Sequence, residues 1–247
     1  VTVANAKGGV GKTPLAVVIT QALAHLAGHH DLALVEINPV GTLRRRTRIT
    51  HDGCLESLIA EAETNPDFGW SPRDLDTMLT WQDLPWAALP SAATARRPDG
   101  SYWPPLTCDA TGLALDVVLK TCRMIVLDTG NDPRDAAWQE GLRRSDRIIV
   151  PVSWEPDVMG VAAQMIDDLA AERDLAQLKR DVIFVETHAP LNWPKRGRAA
   201  QYRAALHDDG WQVMNLPPDR HLAEGALIKW HKLAGRTRTA ALALAQE

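Results

Sequence analysis

Seven consecutive residues, Lys7-Gly8-Gly9-Val10-Gly11-Lys12-Thr13, have the types and spacing that bind phosphate. Their glycines let the backbone turn tightly, so that N–H groups converge on an anion at the start of a helix. Lys12 would reach the β- and γ-phosphates of a nucleotide, and the Thr13 hydroxyl would ligate Mg²⁺. The apolar run over residues 1–4 reads as the strand before this loop, and the pattern over residues 15–26 as the helix after it. Ala6 stands where such loops usually begin with glycine, and a second lysine, Lys7, lies within the turn.

A phosphate loop of this kind needs a carboxylate beside it and a sheet to hold both. Residues 124–127 form an apolar run stopped by Asp128. This places a carboxylate at the end of a buried strand, where a Walker B aspartate holds Mg²⁺ through water. Thr13 and Asp128 are therefore the candidate metal residues. Further apolar runs at 32–37, 147–152 and 182–185 read as strands, with weaker ones at 86–90 and 211–214. Helical stretches lie between them, notably 157–179 and 199–207. The alternation predicts an α/β fold, a mostly parallel twisted sheet with helices on both faces, in one domain over residues 1–247.

Composition fits a compact chain of this type. At 247 residues and 45% hydrophobic content there is ample material for a buried core. No apolar run reaches the length of a membrane span, and nothing resembles a signal peptide. The missing initiator methionine suggests processing or trimming rather than secretion. Cys54, Cys108 and Cys122 are far apart and odd in number, which reads as reduced thiols in a cytoplasmic setting. A net charge of −4 excludes a generally basic nucleic-acid binder and leaves room for a local patch.

With its second lysine, the sequence KGGVGKT resembles the deviant Walker A loop of the ParA/MinD ATPases, P-loop proteins of the SIMIBI type. The resemblance implies ATP and Mg²⁺ as ligands. It also implies a nucleotide-sandwich homodimer in which Lys7 reaches the partner's phosphates. Residues 8–14 would then line the nucleotide, from Gly8, Gly9, Val10 and Gly11 through Lys12 and Thr13 to Pro14. The segment Ser145-Asp146-Arg147-Ile148-Ile149-Val150-Pro151-Val152 is also similar to the family, and Thr129-Gly130-Asn131-Asp132-Pro133 falls where its switch II loop lies. Asn215-Leu216-Pro217-Pro218-Asp219 resembles the segment that packs on adenine in relatives, making Pro217, Pro218 and Asp219 candidate base contacts. A proline-fixed loop is the alternative reading there.

Two departures stand out. The family's switch I pattern, Asp-x-Asp-Pro-Gln-Gly, is here Glu36-Ile37-Asn38-Pro39-Val40-Gly41. Asn38 can orient a water by hydrogen bonding but cannot take its proton, a loss of roughly 10²–10⁴ in rate where a general base matters. Slow or absent hydrolysis is expected. Pro14 replaces a residue whose N–H would contact phosphate, at a cost of about 1.5–3 kcal/mol if that bond is lost.

The resemblance is weakest over about residues 65–107, where Trp70, Trp81, Trp86 and Trp103 lie among prolines. They read as packing on the core or as a docking surface for a partner. Basic residues cluster at Arg44, Arg45, Arg46 and Arg48, at Lys195, Arg196, Arg198 and Arg203, and at Lys229, Lys232, Arg236 and Arg238. Relatives bind DNA without sequence preference through their C-terminal third, so the last two groups are candidate DNA contacts. An ordinary solvated face is equally compatible for these two, while the first group reads as a plain surface run or as a contact near the nucleotide or dimer face. The tail over residues 237–247 lacks the basic amphipathic helix by which MinD-like proteins bind membranes. The small, Soj-like ParA type, with a ParB-like stimulating partner, fits best. A nucleotide-binding scaffold, or a small-molecule kinase or ligase of the same fold, are the alternatives.

Overall fold

The computed structural model describes residues 1–28, 31–39, 41–65, 70–94, 96–97, 99–187 and 196–247. The chain runs β1 (Thr2–Val3), α1 (Lys12–Ala27), β2 (Leu32–Glu36), α2 (Leu43–Arg46), α3 (Leu55–Thr64) and α4 (Pro72–Leu75). It continues through β3 (Thr80–Trp81), β4 (Ala87–Leu89), α5 (Cys108–Leu119), β5 (Met124–Asp128), α6 (Ala136–Arg143) and β6 (Ile148–Val152). Then follow α7 (Pro156–Ala170), α8 (Leu175–Asp181), β7 (Val182–Glu186), α9 (Arg196–Asp208), β8 (Gln212–Asn215), α10 (Arg220–Ala223) and α11 (Gly235–Ala245).

The eight strands form one sheet in the order β3-β4-β2-β5-β1-β6-β7-β8. All pairings are parallel except the β3–β4 ribbon. Strands buried on both faces must be apolar nearly throughout, which is why the runs at β2, β5, β6 and β7 were legible as strands. Alternate residues supply opposite layers. Leu32 and Leu34 of β2 pack with Leu15, Val18 and Ile19 of α1 and with Leu244 of α11, while Ala33 and Val35 join Leu55 and Leu58 of α3 and Val118 of α5. A third cluster joins Val150 and Val152 of β6 and Phe184 of β7 to Val158 and Met165 of α7.

The chain crosses from β1 outward to β2 on one side, and from β5 to β6 on the other. The carboxyl ends of β1 and β5 therefore flank a topological switch point, where open α/β sheets leave a crevice. Both the phosphate loop and Asp128 emerge there.

One local expectation needs correction, and one element was not expected. The helical stretch expected over 157–179 is two helices, because Asp174 caps α8 by accepting the N–H of Gln177 and so ends the first helix before it. The tryptophan-rich region contributes a strand pair, with the antiparallel β3 at the sheet edge unforeseen. Trp86 is 1% exposed and packs against Leu34 and Ala88, the core role. Trp81 is half-buried at the edge, where its indole N–H donates to Asp76 at 2.9 Å. Among the described residues no helix is long and apolar enough to cross a membrane. Trp86→Ala should lower unfolding free energy by about 3–5 kcal/mol in a denaturant titration, since a large buried ring leaves a cavity that the strands cannot close.

Candidate functional site

At the carboxyl edge of the sheet a cleft of about 850 Å³ is lined by the phosphate loop, Asn38, Thr42, Thr187 and the segment from Leu216 to Ala223. The loop is held from below. Buried Asn5 donates to Pro151 O of β6 at 2.9 Å and accepts the Lys7 N–H at 2.8 Å. Thr187, just past β7, donates to Val10 O at 2.7 Å. Gly9 and Gly11 adopt φ of 79° and 85°, the left-handed region that glycine enters without strain. Gly11 caps α1 with no side-chain acceptor, so the positive end of a 16-residue helix faces the cleft uncapped.

Lys12 is buried and folds back onto the loop, donating to Asn5 O at 2.8 Å and Lys7 O at 3.0 Å. Burial lowers its pKa to about 8 against the opposing pull of Asp128. Asp128 is wholly buried, and burial, reinforced by the charge of Glu36, raises its pKa to about 8. The Thr13 hydroxyl bonds to its carboxylate, yet Asp128 Oδ1 has no hydrogen-bond partner. A buried carboxylate oxygen left open beside a helix N-terminus and a lysine fits a divalent cation shared with phosphates. Thr13 and Asp128 would hold Mg²⁺ there.

The other sequence candidates divide. Gly8, Gly9, Val10, Gly11, Pro14, Asn38, Pro217, Pro218 and Asp219 all line the cleft. The Asp219 carboxylate is already engaged, accepting His221 N–H at 2.9 Å and Ala234 N–H at 2.8 Å, so it shapes the loop rather than offering itself to a base. Lys7 pairs with Asp157 at the start of α7, 2.7 Å away and largely exposed. Among the basic candidates, Lys195 and the side chain of Arg196 lie outside the described residues. Arg198 pairs with Glu155 at 3.6 Å, and Arg203 bonds to Glu186 at 2.5 Å with its guanidinium over Trp154. Arg236 lines the cleft and donates to Pro218 O at 3.0 Å, while Lys229 and Arg238 are half-buried and Lys232 is exposed.

Sequence reasoning missed Thr187 and Thr42 in the cleft lining. Thr187 had one weak signal, its place at the end of a predicted strand. Arg46 belongs to the basic run that reads as plain surface or as a contact near the nucleotide; it lines the cleft, burial lowers its pKa, and it donates to Leu222 O at 3.1 Å. A second cavity of about 620 Å³ at the opposite sheet edge is ringed by arginines that are already bonded, Arg143 and Arg144 to Glu140 and Arg147 to Asp181.

No family model and no curated protein matches the sequence. The fold does match solved structures. A ParA family ATPase from Chlorobium tepidum superposes with a TM-score of 0.75 at 16% identity, covering 100% of this chain and 98% of that one. The cell division ATPase MinD of Pyrococcus furiosus gives 0.65 at 15% identity, over 99% and 96%. Cobyrinic acid a,c-diamide synthase from Mycobacterium smegmatis, with bound ADP and magnesium, gives 0.60 at 19% identity, over 99% and 91%. The chain has the fold of the ParA/MinD P-loop ATPases.

Asp128 also yields a stability prediction. With a folded pKa of about 8 against an ordinary value of 3.8, it keeps its proton in the folded chain while the unfolded chain releases it. Stability therefore falls as pH rises from about 4 to about 8. In the absence of nucleotide Asp128→Asn should melt above wild type at pH 8, by about 2–4 °C per kcal/mol recovered, with the advantage vanishing near pH 4. Equal melting temperatures at pH 8 would contradict the burial of an unsatisfied carboxylate.

Proposed function

We propose that this chain is an ATP-dependent molecular switch of the small ParA type, which binds ATP·Mg²⁺, dimerises around it and then engages DNA without reading sequence. The observation that carries the reading is the open oxygen of Asp128 beside the Thr13 hydroxyl, at the foot of an uncapped helix and within a glycine loop. Lys12 would leave its loop carbonyls for the β- and γ-phosphates, and Thr13 and Asp128 would hold the cation. Mg²⁺ supplies charge neutralisation for the phosphates. Leu216, Pro217 and Pro218 offer an apolar rim for the base.

Lys7 supports the dimer part of the reading. Its ammonium pairs with an exposed carboxylate, a weak bond in water, so it can exchange Asp157 for a partner's phosphate at small cost. Arg198, Lys229, Lys232 and Arg238 support the DNA part, as half-buried or exposed cations in the C-terminal third. Arg203 and Arg236 are committed to internal partners, so their contribution to DNA would be indirect.

Asn38 in the cleft favours a second reading, a nucleotide-driven scaffold with little turnover. Hydrolysis then depends on water orientation and charge stabilisation alone, and Asn38→Asp should raise single-turnover ATP hydrolysis tenfold or more. An unchanged rate would remove residue 38 from the account of slow hydrolysis.

Light scattering after size exclusion tests the switch. Mass should double with ATP·Mg²⁺ and stay monomeric without it or in Lys7→Ala. Retention of random DNA should follow the dimer and weaken steeply with salt. A mass indifferent to nucleotide would overturn the switch reading.

A further inference from the structure

The carboxylate of Glu36, at the end of β2, gathers four donors. It accepts the N–H of Leu43 at 2.8 Å, the N–H and hydroxyl of Ser91 at 3.1 and 2.9 Å, and the N–H of Thr42. The chain passes so close to it at Gly41 that a Cβ there would lie 1.8 Å from the carboxyl carbon. This closure sets residue 42 at the start of α2 and over the cleft. Threonine at such a position usually turns its hydroxyl inward to cap its own helix. Thr42 makes no capping bond, and its hydroxyl instead donates across the cleft to Thr13 Oγ1 at 3.3 Å. Thr13 bonds in turn to Asp128, whose Oδ1 stays open.

We propose that Thr42 is a further protein ligand of the nucleotide-bound Mg²⁺, beside Thr13 and Asp128, and that Glu36 is the residue that positions it. The proposal rests on the nucleotide reading of the cleft and adds to it a ligand that the loop motif does not contain. Magnesium takes hard oxygen donors in a near-octahedral shell at 2.0–2.1 Å, so adjacent ligands stand roughly 2.9 Å apart. The separation of 3.3 Å between Thr42 and Thr13 is within a few tenths of that. A hydroxyl can ligate through a lone pair while its proton serves a phosphate oxygen. The link also gives the cation a mechanical reach. From α2, Arg46 donates to Leu222 O, and its own carbonyl accepts the Ile228 N–H at 2.9 Å. Loading the cation would thus brace the segment that rims the base.

The test is the gain in affinity for a methylanthraniloyl-ATP analogue on replacing EDTA with Mg²⁺, read by fluorescence in the full chain. Thr42→Val should reduce that gain about tenfold, the scale of loss when a group supporting a metal is removed. Thr42→Ser, which returns the hydroxyl, should restore it, and Glu36→Gln should lower it by releasing residue 42. A Thr42→Val gain equal to wild type overturns the proposal and leaves nucleotide binding standing, as does a Thr42→Ser gain as low as that of Thr42→Val. No binding of the analogue by wild type under either condition overturns the nucleotide reading, and the proposal with it.

Discussion

Glu36 and Asp128 are register partners at the carboxyl ends of adjacent strands, and both are buried. Two carboxylates side by side in an interior of low polarizability repel each other and are starved of water, so each is pushed toward its protonated form unless donors compensate. The two solutions differ. Glu36 is satisfied by N–H and O–H groups, and in gathering them it folds the following loop over itself, with glycine at position 41, where a side chain would collide with the carboxylate. Asp128 receives the Thr13 hydroxyl and the distant charge of Lys12, and one of its oxygens stays open. One carboxylate is spent on architecture and its neighbour is kept for a ligand. The placement of Thr42, α2 and Arg46 follows from the first, and the chemistry of the cleft from the second.

The sheet was legible because parallel strands covered on both faces cannot hide polar residues, so each announced itself as an apolar run with a sharp end. The glycine loop was legible because phosphate binding demands a particular backbone, and backbone demands are written in residue types. What stayed hidden were long-range polar ties. Nothing near Thr187 in sequence reveals that its hydroxyl braces Val10, 177 residues earlier. Asp219 reads as a ligand contact by position, but its oxygens are used by backbone groups two and fifteen residues on. Arg46 and Arg203 sit in basic clusters that look like surface, and only tertiary packing turns them inward. The break between α7 and α8 was missed because apolar periodicity carries on across it while the local capping chemistry of Asp174 does not.

The ties around Arg203 connect two parts of the proposed switch. Arg203 lies on α9 and bonds to Glu186, the last residue of β7, next to the Thr187 that braces the loop. Its guanidinium also lies 5.6 Å from the ring of Trp154, a buried residue held at a φ of 59° directly after β6. A non-glycine side chain in that conformation persists only where its surroundings over-determine it. A displacement of α9 would be felt at the loop within two residues. Basic side chains on this helix are therefore as well placed to transmit a contact as to make one.

The central claim is that the loop at residues 7–13 and the Asp128 carboxylate form one site for a magnesium nucleotide. Calorimetric titration of wild type and Lys12→Ala with ATP in the presence of Mg²⁺ tests it most directly. The account predicts saturable one-to-one binding by wild type and a loss of at least tenfold in affinity in Lys12→Ala, because the buried ammonium is the charge that meets the phosphates. Equal affinity in the two proteins would contradict it.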